Sequence, residues 1–211
     1  VGHAAAPVFY IQRIFNGLVA GRPADPQKNL HSDTFHSTVK AWLFLDDVDP
    51  GRGPFTYVPG SHRMTAQRLR SEYERSLVES ANSDHYTAKG SLRWDRDRLA
   101  ELGLPPPKEF TVRANTLVIA DTRGIHCRGV VDQPCMRCEI WAYSRPNPFW
   151  PFAGLDFAWR TRLRDSLIRW WLRRQAAKAN RNGKQPSWRP MRHKELTLET
   201  PCQSSPVAQT D

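Results

Sequence analysis

Short apolar stretches separated by turn residues run through the first two thirds of the chain. They are rich in β-branched and aromatic residues and are closed by Gly, Pro or Asp, a pattern typical of β-strands. Strands are predicted at residues 8–15, 39–45, 55–58, 110–112, 116–120 and 137–143. Residues 64–107 are charged and poor in large apolar side chains, which predicts a helical or irregular insertion. Because β–α alternation is absent, the pattern predicts a mainly β domain, a jelly roll or related barrel.

The chain after the predicted barrel domain has a helical periodicity. Large apolar residues recur at four-residue steps, with Arg and Lys on the other faces, at Leu155, Trp159, Leu163, Leu167 and Trp171. This spacing predicts an amphipathic basic helix over residues 155–183. We expect its apolar stripe to pack on the barrel domain of residues 1–154. Residues 184–211 are polar and are expected to form a flexible tail.

The net charge is concentrated near the end of the chain. The 211 residues contain 31 Lys and Arg against 21 Asp and Glu, a formal net charge of +10. Residues 1–154 hold 19 basic and 16 acidic side chains, whereas residues 155–211 hold 12 and 5. A basic protein suggests a nucleic-acid or anionic-membrane partner. Because the excess lies mostly in the last quarter and no nucleic-acid-binding module is present, we expect no nucleic-acid partner.

Membrane insertion and secretion are not expected. No apolar run approaches the roughly 20 residues that a bilayer requires, and the first residues lack the features of a signal peptide. The four cysteines, Cys127, Cys135, Cys138 and Cys202, are then expected to be reduced thiols of a cytoplasmic protein. The sequence begins with Val, so whether it is a truncated fragment stays open, as does its oligomeric state.

The candidate chemistry centres on His31-Ser32-Asp33. Side chains two apart on an extended chain point the same way, so one imidazole and one carboxylate can bind a single metal ion. A third ligand is available from His126, which follows the predicted strand 116–120. Two histidines and one carboxylate form the ligand set of non-haem Fe(II) oxygenases. A short His-x-Asp motif is common by chance, and the alternative is a surface histidine beside a turn aspartate.

The surrounding motifs resemble those of the phytanoyl-CoA dioxygenase family. They are HSDTFH at 31–36, KAWLFL at 40–45, GPFTYVPGSH at 53–62, NTLVIAD at 115–121, His126, and RCEIW at 137–141. The resemblance extends over residues 9–151 and depends on the order of the motifs. It implies a double-stranded β-helix that binds Fe(II) through His31, Asp33 and His126, with 2-oxoglutarate as co-substrate.

The resemblance also implies residues that bind the co-substrate. The family pairs the far carboxylate of 2-oxoglutarate with an Arg eleven residues after the distal His, which is Arg137 here. Gln12 and Asn16 resemble polar residues that contact the co-substrate in some members. Relatives have a small hydroxyl residue two positions after the distal His, where this chain has Arg128. Either that contact is lost, or Arg128 adds a second cation to the site.

The implied activity is that of a dioxygenase using Fe(II), 2-oxoglutarate and O2. Halogenating relatives replace the metal-binding Asp with a small residue, so the presence of Asp33 indicates hydroxylation. The expected substrate is a small organic molecule, lipid-like, acyl or a secondary metabolite, oxidised with release of succinate and CO2. The alternative from another class is a catalytically silent or truncated jelly-roll module that binds a partner or an anionic surface through its basic C-terminal helix.

Three further features favour structural roles. His36 is expected to be a strand residue near the site, and His62 to end the Pro-Gly-Ser-His turn. Cys135-x-x-Cys138 lacks the second pair that a zinc site normally needs.

Overall fold

The computed structural model describes residues 7–16, 25–79, 86–87, 90–132, 134–144, 149 and 158–184. The chain divides into two units, residues Val1–Ala153 and Gly154–Asp211, which are described separately.

The described strands of the first unit form two antiparallel sheets. The strands are β1 (Val8–Asn16), β2 (Val39–Phe44), β3 (Phe55–Tyr57), β4 (Lys108–Phe110), β5 (Thr116–Asp121), β6 (His126–Arg128) and β7 (Cys135–Ser144). The larger sheet has the order β1-β7-β2-β5, and the smaller has the order β4-β3-β6. A single 3₁₀ turn (Pro26–Lys28) and two helices, α1 (Ala66–Glu79) and α2 (Arg96–Glu101), complete the elements described in this unit.

The six predicted strands are present, with ends that shift by one or two residues. The predicted insertion contains α1 and α2. The strand β6 was not predicted, because its His-Cys-Arg sequence has no apolar run and follows a turn closely. The unit is therefore mainly β, as the apolar pattern indicated.

The hydrophobic core of the first unit joins its two sheets. Phe44 at the end of β2 and Phe55 at the start of β3 belong to one buried cluster together with Val48. Trp42 packs against this cluster, with its ring centroid 4.8 Å from that of Phe55. Burying aromatic surface on both sheets stabilises their association. Side chains of the larger sheet that share this face therefore point toward the smaller sheet.

A second buried cluster attaches the insertion to the sheets. Leu92, Trp94 and Leu99 pack with Val58 and Ile125, which flank strands of the smaller sheet. Asp95 caps α2 by accepting a hydrogen bond from the Arg98 amide at 2.8 Å, which fixes where this helix begins.

The second unit contains a long helix, α3 (Ala158–Arg181). Four of its predicted apolar-stripe residues, Trp159, Leu163, Leu167 and Trp171, are exposed, each by more than half of its surface. The predicted first residue of the stripe, Leu155, and most of the predicted tail lie outside the described residues. The packing of this helix on the barrel stays a prediction. Within the described ranges, no helix is long and apolar enough to cross a membrane.

Candidate metal centre

The His-x-Asp segment lies between two short stretches of extended chain. His31 pairs with His126 in an antiparallel bridge, and the two backbone N–H···O distances are both 2.9 Å. On its other side, His31 bridges to Arg93. The Asp33 amide donates to the Thr122 carbonyl at 3.0 Å, which fixes the segment at its far end. Backbone pairing therefore brings the predicted first and third ligands next to each other.

The three predicted ligands converge on one point. One ligand atom from each of His31, Asp33 and His126 lies within 4.8 Å of the other two. Asp33 Oδ1 is 4.0 Å from His31 Nε2, and Asp33 Oδ2 is 3.8 Å from His126 Nε2. Both histidines are buried, so the cluster is largely shielded from water.

The hydrogen bonds of the two imidazoles leave both Nε2 atoms available to bind a metal ion. His31 Nδ1 lies 2.7 Å from the Asn29 carbonyl, and His126 Nδ1 lies 2.9 Å from the Gly124 carbonyl. Since a carbonyl only accepts, each Nδ1 carries the proton and each Nε2 presents a lone pair to the cluster. His31 Nε2 is buried with no hydrogen-bond partner among the described residues. A buried unpaired acceptor is unfavourable, and a metal ion would remove that cost, so these side chains fit one.

Their pKa values favour the metal-binding protonation states. Burial and, to a lesser degree, the nearby His31 lower the pKa of His126 to about 3. Burial also lowers the pKa of His31. For Asp33, burial favours the neutral acid, but Lys40 and His126 outweigh it and hold the pKa at about 2. Near neutral pH the cluster therefore offers two neutral imidazoles and a carboxylate, the forms that bind metals.

Lys40 is absent from the predicted site residues, yet it contacts the cluster. Its Nζ lies 2.7 Å from Asp33 Oδ2 and 5.6 Å from the centre of the Trp141 ring. A signal was present in the sequence, because strand alternation places Lys40 on the same face as the core residues Trp42 and Phe44. A lysine at a core-facing strand position requires an anionic partner.

Aromatic side chains line the same face beside Lys40. The Trp141 ring stacks on Tyr10 and Tyr143 with centroid distances of 5.3 and 5.2 Å. Tyr10 and Tyr143 are 6.3 Å apart with nearly parallel rings. The three side chains form an aromatic wall near the metal-binding cluster.

Arg137 lies on this face of β7 and is buried. Its Nη1 donates to the Gly53 carbonyl, and its Nε lies 3.1 Å from Glu139 Oε2. Burial lowers the pKa of Arg137, Glu139 opposes that effect, and Arg128 adds to it. The predicted co-substrate anchor therefore has an anionic neighbour within the protein.

The other predicted co-substrate residues have partners of their own. Gln12 Nε2 donates to Glu139 Oε1 at 2.5 Å, so Gln12 is linked to Arg137 through Glu139. Arg128 Nη1 lies 2.5 Å from Asp25 Oδ2 in an ion pair. Asn16 is buried and its Nδ2 is 3.7 Å from Cys135 Sγ. Glu139 was not predicted, although its spacing of two from Arg137 places both on one strand face.

The remaining histidines and cysteines stay outside the cluster. Within the described ranges, the group of side chains able to share an ion contains neither His36 nor His62. His36 Nδ1 instead lies 3.2 Å from the Ser37 carbonyl. Cys135 is a buried thiol, and Cys138 is partly buried.

A cavity of about 740 Å³ lies on the other face of the smaller sheet. Its lining includes Thr56, Cys127 and Glu109 from the sheet, with Leu99 and Ala100 from α2. Cys127 sits between the inward-facing His126 and Arg128, so its thiol points away from the cluster. Burial raises the pKa of Cys127 to about 11.

Several solved structures are similar to this chain. HygX from Streptomyces hygroscopicus, with nickel and 2-oxoglutarate bound, is 18% identical with a TM-score of 0.41, over 73% of this chain and 66% of HygX. EvdMO1 is 19% identical with a TM-score of 0.41, over 70% of this chain and 29% of EvdMO1. AviO1 from Streptomyces viridochromogenes Tue57 is 15% identical with a TM-score of 0.39, over 71% of this chain and 54% of AviO1. This chain covers less than two thirds of the length of each.

A family model gives the most direct comparison with the motifs. No curated protein matches the sequence at a significant level. The model of the phytanoyl-CoA dioxygenase family, PhyH, matches residues 20–96, which contain the His-x-Asp segment and the Pro-Gly-Ser-His turn. The family resemblance carried by the sequence motifs is thereby confirmed for residues 20–96.

Proposed function

We propose that this chain is an Fe(II)- and 2-oxoglutarate-dependent dioxygenase that hydroxylates a small organic substrate. The observation that carries the proposal is the convergence of His31, Asp33 and His126 within 4.8 Å. Each imidazole directs its Nε2 toward the carboxylate, because a backbone carbonyl engages its Nδ1. This donor set suits iron in a 2-His-1-carboxylate site.

The proposed fold is a double-stranded β-helix, with the two sheets as its two halves. Support comes from the antiparallel pairing within each sheet and from the buried aromatic cluster that joins them. In this arrangement the core-facing sides of β2, β6 and β7 enclose the metal-binding residues.

Each proposed residue role follows from its contacts. His31, Asp33 and His126 hold the iron, and Lys40 orients the Asp33 carboxylate through its contact with Oδ2. Arg137 binds the far carboxylate of 2-oxoglutarate through its guanidinium. With both groups bound, the iron supplies O2-dependent oxidation coupled to decarboxylation of the 2-oxo acid, which releases succinate and CO2.

The substrate is proposed to bind against the aromatic wall of Tyr10, Trp141 and Tyr143. Stacked rings present large apolar faces that bind a planar or hydrophobic group with little loss of side-chain entropy. Lys40 beside this wall supplies a positive charge. A lipid-like, acyl or secondary-metabolite substrate fits such a surface.

The exposed apolar residues of α3 favour a second candidate function. Trp159, Leu163 and Trp170 are each more than half exposed on a helix rich in arginine. Such a surface suits binding to an anionic membrane, which a catalytically silent module would use. Binding to anionic vesicles that survives His31→Ala but is lost on deletion of residues 155–184 would support this candidate. Insensitivity of that binding to salt would oppose it.

Anaerobic titration with Fe(II) and 2-oxoglutarate tests the first proposal. The expected result is the weak visible charge-transfer band of the iron–2-oxo acid chelate, together with saturable 2-oxoglutarate binding. His31→Ala should abolish the band, whereas His62→Ala, a histidine outside the cluster, should retain it. Metal-loaded protein without a band and without affinity for 2-oxoglutarate would refute the proposal.

A further inference from the structure

We propose that Glu139 is a built-in competitor of the co-substrate that weakens binding of the far carboxylate of 2-oxoglutarate to Arg137. The inference rests on the proposed function, because it assumes that Arg137 is the co-substrate anchor. It assigns to Glu139 the role of setting how strongly this site prefers a dicarboxylic 2-oxo acid over a monocarboxylic one.

Two guanidinium nitrogens of Arg137 already lie close to oxygen atoms of the protein. A guanidinium binds a carboxylate bidentately through one of two edges, Nε with Nη2 or Nη1 with Nη2. Arg137 Nε lies 3.1 Å from Glu139 Oε2, and Nη1 donates to the Gly53 carbonyl. The Nη1–Nη2 edge therefore has one nitrogen engaged in a hydrogen bond. The Nε–Nη2 edge has the Glu139 carboxylate beside it in an ion-pair contact, although Nε and Oε2 are not aligned as a hydrogen bond. An incoming carboxylate must share or displace one of these partners.

The Glu139 side chain is held in place by its surroundings. Its side chain is 1% exposed, so it has no route to solvent without a change in packing. Gln12 Nε2 donates to its other oxygen, Oε1, at 2.5 Å. The carboxylate is thus held by the Gln12 hydrogen bond on one side and faces the Arg137 guanidinium on the other. It stays beside the guanidinium when a co-substrate enters.

The charges around Arg137 oppose the binding of a second carboxylate. A co-substrate carboxylate bound here would place two anions around one guanidinium in a buried region, where screening by water is weak. Arg128 is the other nearby cation, and it is ion-paired with Asp25. Its charge therefore offsets only part of the repulsion between Glu139 and the co-substrate.

Glu139 has the opposite effect on the empty site. A buried guanidinium without an anionic partner is strongly unfavourable, and Glu139 supplies that partner when no co-substrate is bound. The same contact that stabilises the free protein therefore weakens co-substrate binding. Removing the charge of Glu139 should lower thermal stability and raise affinity, whereas a purely structural glutamate would lower both.

The test compares two 2-oxo acids on the full chain loaded anaerobically with Fe(II). The dissociation constants of 2-oxoglutarate and of 2-oxopentanoate, which lacks the far carboxylate, are measured by calorimetry for the wild type and Glu139→Gln. Glutamine keeps the shape of the side chain and removes its charge. The matched control is Glu109→Gln, which neutralises an exposed glutamate on another strand.

We expect Glu139→Gln to bind 2-oxoglutarate about ten-fold more tightly, the equivalent of about 1.4 kcal/mol. Binding of 2-oxopentanoate should be unchanged, and Glu109→Gln should match the wild type with both acids. Equal or weaker binding of 2-oxoglutarate by Glu139→Gln would overturn the inference and leave the proposed function intact. If the wild type and Glu139→Gln both bind Fe(II) but neither 2-oxo acid, the proposed function itself fails, and the inference fails with it.

The wild-type protein provides a second measurement should Glu139→Gln fail to fold. Charge-assisted hydrogen bonds to an unopposed arginine are worth about 1.5–3 kcal/mol, a preference of more than ten-fold. With Glu139 in place, the wild type should prefer 2-oxoglutarate over 2-oxopentanoate by less than about ten-fold. A larger preference would overturn the inference.

Discussion

His31 and His126 hold each other in place through their backbones, with each amide 2.9 Å from the carbonyl of the other residue. The two residues are far apart in the sequence, and this bridge makes them neighbours before any metal binds. Each imidazole is then oriented by a carbonyl two residues earlier, that of Asn29 or of Gly124. The protein therefore preorganises two of the three proposed ligands without using a charged side chain.

Metal binding to this preorganised cluster should stabilise the folded chain. A ligand present at 100 times its dissociation constant stabilises the native state by about 2.7 kcal/mol. For a chain of this size, that corresponds to a rise in melting temperature of about 5–10 °C. Calorimetry with and without Mn(II), an air-stable substitute for Fe(II), measures the rise. It should disappear in His31→Ala and persist in His62→Ala; an equal rise in both variants would show that the ion binds elsewhere.

The insertion supports the metal-binding segment through Trp94. The Trp94 indole donates to Ser32 Oγ at 3.2 Å, and the Ser32 amide donates to the Leu92 carbonyl at 3.0 Å. Trp94→Phe keeps a ring but removes the indole donor, so we expect a loss of about 1–3 kcal/mol of stability. Metal affinity should fall about ten-fold or more, because Ser32 lies between two ligands.

Denaturant unfolding and Mn(II) titration measure the two effects of Trp94→Phe. Trp171→Phe is the matched control, since Trp171 is 52% exposed on α3 and its replacement should change stability by less than about 0.5 kcal/mol. Metal affinity that is unchanged in Trp94→Phe would mean that the insertion does not position the site.

The sequence predicted six of the seven described strands and the three clustered side chains, but not the charged residues Lys40 and Glu139 beside them. Apolar alternation is local, so β2 and β7 could be located from their own residues. The side chains of Lys40 and Glu139 occupy core-facing positions of those strands. Strand alternation predicts that these two side chains face the core, but it does not predict what they contact. Their partners, Asp33 and Arg137, depend on cross-strand register and loop packing, which no short-range pattern encodes.

The strand β6 illustrates the same limit. Residues 126–128 form a strand only because β3 pairs with them, with Tyr57 opposite His126 and Phe55 opposite Arg128. A three-residue polar segment has no periodicity of its own to detect. His126 was proposed as a ligand from its position after the predicted strand 116–120 and from the resemblance to a known family, and not from strand propensity.

The thiol of Cys127 should be unreactive in the folded protein. Burial raises its pKa to about 11, so the fraction of thiolate, the nucleophilic form, stays small until the pH approaches that value. We expect iodoacetamide to alkylate Cys127 roughly 100-fold more slowly at pH 8 than the same cysteine in unfolded chains, given a difference of about two pKa units. Peptide mass spectrometry across pH 7–10 measures the rates. Rapid alkylation in the native state at pH 8 would show that Cys127 is accessible or that its pKa is not raised.

Replacing Gly124 should disturb His126. A Cβ at position 124 would lie 1.9 Å from the Tyr57 hydroxyl oxygen, so Gly124→Ala forces the tyrosine or the turn to move. The Tyr57 hydroxyl also donates to the Asp121 carbonyl at 3.0 Å, which restricts its movement. We expect a loss of roughly 1–3 kcal/mol of stability, as for other overpacked sites. Because the Gly124 carbonyl orients the His126 ring, Mn(II) affinity should fall as well.

A double-mutant cycle separates this clash from other effects of the substitution. Tyr57→Ala removes the ring that the new methyl group meets, so Gly124→Ala should cost much less in the Tyr57→Ala background than in the wild type. The two residues are in contact, and a coupling of about 0.5–3 kcal/mol is expected from urea unfolding of the four proteins. Additive losses would mean that the turn, and not Tyr57, sets the requirement for glycine at position 124. In that case the orientation of His126 would depend on the backbone of residues 121–124 alone.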